Sequence, residues 1–417
     1  MEKQRGKKPL IRFPEFKEAW EHKRLNELLS EAKKRNEDLK YGKDEVLSVS
    51  GELGIVNQIE HLGRSYAGVS VHQYHVVEVG DIVYTKSPLK ANPFGIIKLN
   101  KGKAGIVSTL YAVYKVNQQT AYGPFIDYYF SLDANTNRYL RPLVKKGAKN
   151  DMKINNSYVL HDRVFAPAIP EQKQIASFFM ILDKKIAALK RKKNLIEQYK
   201  KGVMEKLFSQ EFRFKDENGK EFPKWQKKAM GKIGETFNGL TGKTKENFGE
   251  GKPYIQYKQI FDNTKIDLAK CDFVQIAENE NQNKVKYGDV FFTTSSETPL
   301  EIGYSSVLLE NIDELYLNSF CFGYRIYSFK ELSPTFAQYL FRSPRFREQV
   351  IKLGQGSTRY NMSKLELMKT EINLPCESEQ IKIATFLMTI DEKIMRTTFQ
   401  LQETLQWKKG LLQNMFV

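Results

Sequence analysis

The strongest constraint on the fold of this chain is an internal repeat. Three pairs of segments match at one displacement of 208 residues: Val77–Thr85 with Val285–Thr293, Glu171–Ile186 with Glu379–Ile394, and Tyr199–Phe208 with Trp407–Phe416. Such a repeat within 417 residues predicts two copies of one structural unit. Between the matched segments the two halves differ. We therefore expect the shared segments to serve one purpose twice and the divergent segments to act on different targets.

The last two matched pairs predict long helices. From Ile175 apolar residues recur at alternating steps of four and three, and neither helix contains proline after its first turn. Each predicted helix is about 38 residues long, roughly 57 Å at about 1.5 Å per residue. A helix with one apolar stripe needs a partner of equal length, so we expect antiparallel coiled-coil pairing. The pairing residues are Ile175, Phe179, Leu182, Ile186 and Leu189 in the first helix, and Ile383, Leu387, Ile390, Ile394 and Leu401 in the second.

Two features leave an alternative to this pairing open. Polar residues such as Lys200, Thr397 and Lys408 interrupt the stripe, where they would weaken the pairing, fix its register or leave a face for another protein. In the alternative, the helices belong to two separate cores.

The divergent segments predict small β-rich domains. Stretches rich in Val, Ile, Tyr and Phe are punctuated by Gly, and helical stretches follow near 125–145 and 334–353. The predicted fold class is α+β, with two β-rich globular domains separated by the two long helices in a pseudo-two-fold tandem repeat. The expected boundaries are 1–165 and 210–373 for the domains, and 166–209 and 374–417 for the helices.

The charge balance favours a polyanionic partner. Lys and Arg number 66 against 49 Asp and Glu, a net charge of +17. Residues 1–208 hold 37 basic and 22 acidic side chains, or +15, and the remainder hold 29 and 27, or +2. Nucleic acid is the leading candidate and an acidic membrane surface the second. A solvated basic surface without a partner is the alternative reading.

Composition also bears on the cellular compartment. Apolar residues make up 41% of the chain, which is enough for a folded core, and no apolar run approaches the roughly 18–20 residues of a membrane span. The N-terminus leads into no signal-peptide core, and the three Cys residues show no C-x-x-C spacing. We expect a cytoplasmic protein without disulfides and without a membrane partner.

Loops that mix Lys or Arg with Ser, Thr, Asn, Gln and Tyr are the best candidates for DNA contacts, because these side chains reach both phosphates and base edges. In the first half the candidates are Lys86, Ser87, Lys90, Asn92, Lys146 and Lys149. In the second half they are Tyr257, Lys258, Gln259, Thr293, Thr294, Ser295, Ser357, Thr358, Arg359 and Tyr360. An ordinary polar loop is the alternative for each of them.

Catalytic and cofactor motifs are incomplete. Thr241–Thr244 (TGKT) matches the end of a phosphate-binding loop, but position 237, where the first Gly belongs, is Phe. Gly354-Gln-Gly356 starts a dinucleotide motif whose third Gly is replaced by Arg359. Asn92-Pro-Phe94 lacks one Pro of the motif with which amino methyltransferases hold a flipped adenine. The sequence therefore predicts no catalytic residue, no metal site and no cofactor.

Together these features resemble the specificity subunit of type I restriction-modification systems. The resemblance rests on the repeated Gly-Asp strand, on the Pro-x-x-x-Glu-Gln-x-x-Ile-Ala-x-Phe start of each helix, and on the Gly-Ser-Thr-Arg loop at 356–359. It spans nearly the whole chain. The first half departs from it, because Gly147-Ala-Lys149-Asn150 stands in place of Gly-Ser-Thr-Arg.

The resemblance implies a function. In that family the divergent segments are target recognition domains that each read half of a bipartite DNA site, and the helices are spacers on which methyltransferase subunits dock. It implies a non-enzymatic subunit whose partners are double-stranded DNA, two methyltransferase subunits and restriction/translocase subunits. Two other classes remain open: an enzyme with an unrecognised active site, and a scaffold that pairs proteins without reading DNA.

Overall fold

The computed structural model describes residues 6–68, 70–146 and 152–417, with only the backbone of Lys146 and Lys153. The chain divides into two compact units. Unit 1 comprises Met1–Lys190 and Phe399–Val417, and unit 2 comprises Arg191–Thr398. Each unit therefore contains one β-rich domain and part of each long helix.

The β-rich domain of unit 1 is built from short strands and short helices. Its strands are β1 (Glu21–Arg24), β2 (Leu29–Glu31), β3 (Leu47–Ser50), β4 (Gly54–Asn57), β5 (His75–Val77), β6 (Ile82–Thr85), β7 (Ile96–Leu99), β8 (Gly105–Val107), β9 (Tyr111–Val116), β10 (Lys145–Lys146), β11 (Met152–Lys153) and β12 (Arg163–Ala166). Its helices are α1 (Leu25–Leu28), α2 (Gln58–Leu62), α3 (Gly123–Ser131) and α4 (Asp133–Leu140). The first long helix, α5 (Ile169–Ser209), begins in unit 1 and ends in unit 2.

A four-stranded antiparallel sheet in the order β2-β9-β6-β7 forms the centre of the unit 1 domain. β6 is an interior strand and pairs Ile82 with both Tyr114 of β9 and Leu99 of β7. All four residues of β6 are buried, so the strand is covered on both faces. This is why its sequence does not alternate between polar and apolar residues as a half-buried strand would. Phe125 and Tyr128 of α3 belong to the same hydrophobic core.

The β-rich domain of unit 2 repeats this plan. Its strands are β13 (Gln226–Ala229), β14 (Gly234–Asn238), β15 (Phe248–Ile255), β16 (Asp272–Val274), β17 (Val290–Thr293), β18 (Ser295–Ser296), β19 (Ser305–Val307), β20 (Tyr316–Leu317), β21 (Cys321–Ile326), β22 (Gly354–Gln355), β23 (Tyr360–Met362) and β24 (Glu371–Leu374). Its helices are α6 (Met230–Ile233), α7 (Tyr257–Asp262), α8 (Pro334–Leu340), α9 (Pro344–Ile351) and α10 (Lys364–Lys369). The second long helix, α11 (Glu377–Met415), begins in unit 2 and ends in unit 1.

The central sheet of unit 2 has the order β14-β21-β17-β19, again antiparallel. β17 is an interior strand and pairs Val290 with both Tyr324 of β21 and Val307 of β19. Its four residues are all buried. β17 therefore occupies in unit 2 the position that β6 occupies in unit 1.

The repeated Gly-Asp pair forms the turn that leads into each of these interior strands. Gly80 and Gly288 have φ angles of +93° and +86°, a left-handed conformation that favours glycine. One carboxylate oxygen of Asp81, and likewise of Asp289, accepts a hydrogen bond from the backbone N–H three residues earlier, at 2.8 and 2.7 Å. This closed turn explains why the two residues recur in both halves.

Each of these aspartates also pairs with a cation on a neighbouring strand. The Lys115 ammonium lies 2.9 Å from Asp81, and Arg325 donates two hydrogen bonds to Asp289, at 2.9 and 2.7 Å. Burial raises the pKa of both aspartates, and the cations act in the opposite direction. In both domains the Gly-Asp element therefore closes the turn before the interior strand and connects it to a neighbouring strand.

The two long helices run antiparallel. In unit 1 the first part of α5 packs on the last part of α11, with the rings of Phe179 and Phe416 centred 6.0 Å apart. In unit 2 the last part of α5 shares a core with the first part of α11, where Leu207 and Leu387 are both buried. The helices contain 41 and 39 residues, slightly more than the sequence pattern indicates.

The predicted fold class is confirmed: the chain is α+β, with two β-rich domains and two long antiparallel helices. The helix residues that the heptad pattern selects fall into two groups. Ile175, Phe179, Leu182, Ile186, Ile383, Leu387 and Ile390 are buried, and Leu189, Ile394 and Leu401 are half-buried.

The polar residues in the helical stripe have specific partners within their units. Lys408 pairs with Asp183 in unit 1, and Lys200 lies 2.5 Å from Asp391 in unit 2. Each of these aspartates also accepts a hydrogen bond from a tyrosine hydroxyl of the adjacent domain, at 2.6 and 2.8 Å. The buried hydroxyl of Thr397 donates to a carbonyl of its own helix. The two lysine–aspartate pairs thus connect the two helices to each other and, through the tyrosines, to the adjacent domain in both units.

Candidate nucleic-acid interface

A buried carboxylate at the start of each long helix fixes the domain to the helix. In unit 1, Glu171 accepts hydrogen bonds from Nε and Nη2 of Arg12, at 2.7 and 2.8 Å, and from the indole N–H of Trp20 at 3.1 Å. The side chain of Glu171 is 3% exposed, so the carboxylate depends on these donors for its solvation. We call this set of three residues the unit 1 clasp.

The same arrangement occurs in unit 2. Glu379 accepts hydrogen bonds from Nε and Nη2 of Arg213, at 3.0 and 2.7 Å, and from the indole N–H of Trp225 at 3.1 Å. We call these residues the unit 2 clasp. The sequence repeat places the two glutamates in corresponding positions, but the arginine and tryptophan that bind each of them become visible only in the structure.

The glutamine that follows each clasp glutamate binds backbone groups of the adjacent domain and linker. Gln172 accepts from the N–H of residue 122 at 2.9 Å and donates to the carbonyls of residues 120 and 167, at 3.1 and 2.9 Å. Gln380 accepts from the N–H of residue 333 at 2.8 Å and donates to the carbonyls of residues 331 and 375, at 2.8 and 3.0 Å. The two domains are therefore held by one repeated frame.

The polar loops of unit 2 meet at an open cleft of about 400 Å³, which we call the unit 2 cleft. It is bounded by α7, by β18 with the turn that follows it, and by the loop between β22 and β23. Its lining residues are Tyr257, Lys258, Phe261, Asp262, Ser295, Ser296, Glu297, Glu301 and Arg359. The cleft thus brings together four residues that the sequence singles out for DNA contact, namely Tyr257, Lys258, Ser295 and Arg359.

The hairpin of β22 and β23 carries Arg359 to the rim of this cleft. Its loop needs glycine at 356, because φ is +129° and an added Cβ would lie 2.1 Å from the carbonyl oxygen of Arg359. β23 pairs with β18 through Asn361 and Ser295. The hydroxyl of Tyr257 donates to the carbonyl of Ser295 at 2.8 Å, which ties α7 to the same strand.

Two arginines, Arg347 buried and Arg342 half-buried, support the loops behind the cleft. Arg342 donates hydrogen bonds of 2.7 to 3.0 Å to the carbonyls of residues 260, 261, 263 and 305. Arg347 donates to the carbonyls of residues 300 and 303, at 3.0 and 2.9 Å. Both guanidinium groups lie over the ring of Tyr304, at 4.4 and 4.5 Å. Burial lowers the pKa of each arginine to about 10, so both stay charged at neutral pH and hold the loops in place.

Two unit 2 candidates point into the domain, which corrects the expectation that they face DNA. Gln259 is buried, accepts from the N–H of Asp267 at 2.6 Å and donates to the carbonyl of Lys270 at 3.3 Å. Thr293 is buried and its hydroxyl oxygen accepts from the N–H of Tyr304 at 3.0 Å. Their polar groups are used internally. Of the other candidates outside the cleft, Ser357 and Thr358 are exposed, and Thr294 and Tyr360 are half-buried.

In unit 1 the loop between β6 and β7 carries four candidates. Ser87 and Lys90 are exposed and Lys86 is half-buried. Asn92 is buried, and its amide donates to Asp133 at 2.7 Å, at the start of α4. The structure therefore corrects the expectation for Asn92, which anchors the loop instead of lying on its surface.

The second candidate loop of unit 1 is only partly described. Lys146 lies in β10, which pairs with β11 opposite Met152, and Lys149 lies outside the described residues. A cleft of about 740 Å³ in unit 1 is lined instead by residues of α3, α4 and the end of α11, and by none of the candidates.

Sequence reasoning missed Phe261 and three acidic lining residues of the unit 2 cleft, Asp262, Glu297 and Glu301. Phe261 follows Tyr257 by four residues on α7, so the two rings lie on one face of the helix, and this spacing was a readable signal. Glu297 and Glu301 carried no such signal, because acidic side chains are not expected beside phosphates.

Within the described ranges no cluster of His, Cys, Asp or Glu could hold a metal ion. None of the helices in that part of the chain has the length and hydropathy of a membrane span.

Comparisons with known proteins agree with this architecture. Residues 223–406 match the model of the type I restriction modification DNA specificity domain family. The unit 2 cleft lies entirely within the matched residues. The resemblance to type I specificity subunits is confirmed.

Curated relatives match part of the chain. The MjaVIII specificity subunit of a type I restriction enzyme from Methanocaldococcus jannaschii is 26% identical over 243 residues, which is 55% of this chain and 55% of that protein. The chain thus matches about half the length of this relative.

Solved structures share the fold over almost the whole chain. The S subunit of a type I restriction-modification system from M. genitalium is 14% identical, with a TM-score of 0.56 and 99% of both chains covered. A chain from a study of complex assembly and conformational transition in a type I R-M system is 17% identical, with a TM-score of 0.55, 95% of this chain and 96% of that chain covered. At this identity the likeness shows the fold.

Proposed function

We propose that this chain is the DNA sequence-specificity subunit of a type I restriction-modification complex. The observation that carries the proposal is the repeated frame: Glu171 and Glu379 hold two different β-rich domains in the same way. Two different domains that are attached to the helices in the same way suit a bipartite DNA target, in which each domain recognises one half-site. The proposed target recognition domains are 1–165 and 210–373, and the spacers are 166–209 and 374–417.

Double-stranded DNA is the proposed ligand because charge and exposed loops both suit it. The chain carries a net charge of +17, and most of the excess lies in the first half. Exposed loops combine phosphate-binding and base-reading side chains, with Lys90 in unit 1 and Arg359 in unit 2. Because the loops of the two domains differ, we propose that the two half-sites differ in sequence.

The proposed docking surface for methyltransferase subunits is a repeated pattern on the helices. Tyr199 and Trp407 are exposed aromatic residues, 56% and 52% accessible. Each precedes a glycine by three residues, Gly202 and Gly410, where an added Cβ would meet no described atom within 4 Å apart from the adjacent backbone of its own helix. Glycine costs a helix about 1 kcal/mol relative to alanine, so its recurrence at an open position suits a closely approaching partner. A surface that occurs twice suits two copies of one methyltransferase subunit.

Methyl transfer and DNA cleavage are proposed to take place in other subunits of the complex. The chain itself is proposed to be non-catalytic and to need no cofactor, so that methyl transfer takes place in the docked subunits. Restriction/translocase subunits are recruited to that core, and the complex works in the cytoplasm. The support is the name of the matched relative, which is a specificity subunit, and the incomplete catalytic motifs of the sequence.

The test is a domain exchange in cells that carry the complete system. Residues 210–373 are replaced by the corresponding segment of a related subunit, and the methylated DNA motif is determined by sequencing. We expect one half-site to change and the other to stay the same. A motif that does not change would favour a scaffold that never reads DNA.

A second assay addresses the enzyme alternative. The purified chain is incubated with DNA, Mg²⁺ and methyl donor, without partners, and we expect neither methylation nor cleavage. Turnover by the chain alone would contradict the proposal.

A further inference from the structure

We propose that the unit 2 cleft reads a C·G base pair in the major groove, with Arg359 binding guanine and Glu301 accepting a hydrogen bond from the amino group of cytosine. This inference rests on the proposed function and deepens it, since it names one base pair that the unit 2 domain selects. It also gives a role to an acidic residue that a phosphate-binding surface would exclude.

The charge inside the cleft argues against a phosphate ligand. Asp262, Glu297 and Glu301 line it together with Lys258 and Arg359, so carboxylates outnumber cations. Lys258 forms an exposed ion pair with Asp262, at 3.1 Å. Three carboxylates against two cations leave the lining with one excess negative charge, which does not favour a phosphate. Carboxylates in a DNA-facing cleft suit hydrogen-bond donors on the edges of bases.

Glu301 is held in a fixed orientation. Its Oε2 accepts hydrogen bonds from the hydroxyls of Thr298 at 2.8 Å and Ser296 at 3.4 Å. Among the hydrogen bonds of the described residues, both bonds of this carboxylate fall on Oε2, which leaves Oε1 for a ligand. The backbone is fixed too, because the carbonyl of Leu300 accepts from Arg347 at 3.0 Å. A pre-oriented acceptor discriminates between bases better than a mobile one.

Glu301 and Arg359 act on one region of the cleft. Both charges reach the hydroxyl of Tyr257: burial is the largest cause of its raised pKa, Glu301 raises that pKa further, and Arg359 lowers it. The phenol is itself fixed by its bond to the Ser295 carbonyl. Tyr257, Glu301 and Arg359 all line the unit 2 cleft, so an acidic and a basic side chain border the same space.

The chemistry of this pair of readers selects a C·G base pair. In the major groove an arginine binds O6 and N7 of guanine with two hydrogen bonds, and a glutamate accepts from N4 of cytosine. One base pair offers both partners side by side. An A·T pair would give the carboxylate an amino group but would not offer the arginine two acceptors on one base.

The test uses the complex of this chain with its methyltransferase subunits and a library of DNA duplexes with a randomised core. The wild-type complex is expected to select a bipartite site whose unit 2 half contains an invariant C·G pair. The domain exchange of residues 210–373 identifies which half that is. Glu301→Gln is expected to reduce the preference at this one position by roughly 10- to 100-fold and to leave the other positions unchanged.

Glu297→Gln is the matched control, because it removes the same charge from the same cleft at an exposed position. It is expected to strengthen binding to all sequences without changing base preference. Arg359→Ala, also at an exposed position, is the second variant if Glu301→Gln fails to fold, and it is expected to remove the guanine preference at the same base pair.

The outcomes separate the two proposals. If the wild-type complex selects no sequence at all, the proposed function fails. If it selects a bipartite site but both Glu301→Gln and Arg359→Ala keep every base preference, only the present inference is overturned. A unit 2 half-site without a C·G pair would overturn it as well.

Discussion

Arg213 and Glu379 form a two-point ion pair in which Nε donates to Oε1 at 3.0 Å and Nη2 donates to Oε2 at 2.7 Å. The side chain of Glu379 is completely buried, and that of Arg213 is 23% exposed. A buried carboxylate without its donors is costly, so this contact constrains how the helix and the domain meet. Its recurrence between Arg12 and Glu171 identifies it as part of the common frame.

Removing the charge of Glu379 is expected to destabilise unit 2. Glu379→Gln leaves the half-buried guanidinium of Arg213 without its carboxylate, a loss of about 1.5–3 kcal/mol in the free energy of unfolding. The control is Glu371→Gln, which breaks the solvent-exposed ion pair with Lys227 and should cost less than about 1 kcal/mol. Urea unfolding of both variants measures the difference. Equal transition midpoints would show that the clasp does not stabilise the fold.

Replacing Gly202 or Gly410 by alanine is expected to raise the stability of the chain and to weaken its binding to a methyltransferase subunit. Gly202→Ala and Gly410→Ala should each stabilise the isolated chain by about 0.5–1 kcal/mol, because alanine favours the helix. Among the described residues, the added methyl group meets no atom within 4 Å apart from the adjacent backbone of its own helix. If a methyltransferase subunit approaches these positions closely, the same changes should weaken its binding. Thermal unfolding and co-purification with the subunit measure the two effects. Glu403→Ala, exposed on α11, is the control for binding.

The stability of unit 1 is expected to fall as the pH is lowered from about 6.5 to about 4. His75 is buried, and its pKa is lowered from 6.5 to about 4, first by desolvation and then by the positive charges of Arg35 and Lys86. The unfolded chain therefore binds this proton at a higher pH than the folded chain does. Stability from the neutral imidazole is present above the unfolded pKa and is lost as the pH falls through this window.

The pH effect is measured as a difference between two proteins. Urea unfolding of the wild type and of His75→Gln is followed across the pH range, so that titrating carboxylates contribute equally to both. We expect the wild type to lose more stability than the variant between pH 6.5 and 4. Parallel curves would assign the loss to other groups.

Lengthening both long helices is expected to widen the gap between the half-sites. Four extra residues in the middle of α5 and of α11 add about 6 Å, against about 3.4 Å for one base pair, so the gap should grow by one or two base pairs. Sequencing of methylated DNA from cells with the altered subunit reports the gap. An unchanged gap would contradict the proposal that the helices set the spacing.

The shared elements could be predicted from the sequence because their pattern is local. The heptad from Ile175 indicates a helix of nearly the observed length, and the recurrence of Gly80-Asp81 marks the turn before an interior strand. The repeat itself supplied the partner of each long helix. What the sequence could not show was which distant side chain meets each repeated one, such as Arg325 beside Asp289.

The candidate site was harder to predict, because the direction of a polar side chain depends on tertiary packing. Gln259 is two residues from Tyr257 on the short helix α7, which turns it away from the cleft and into the domain. Thr293 ends a strand that is buried on both faces, so its hydroxyl serves the backbone. No feature of the sequence singles out Glu301, since acidic residues are not expected beside DNA phosphates, and only the structure shows that it lines the same cleft as Arg359.

Gln172 and Gln380 hold the two domains through main-chain groups, and such bonds tolerate sequence divergence around them. Each glutamine binds one N–H and two carbonyl groups of the main chain. Main-chain groups are supplied by almost any residue, so these bonds persist when the side chains around them are replaced. We therefore expect a domain from a distant relative to dock on the same helix without compensating mutations. Under the proposed function, recombination at the domain boundary would then change one half-site in a single event.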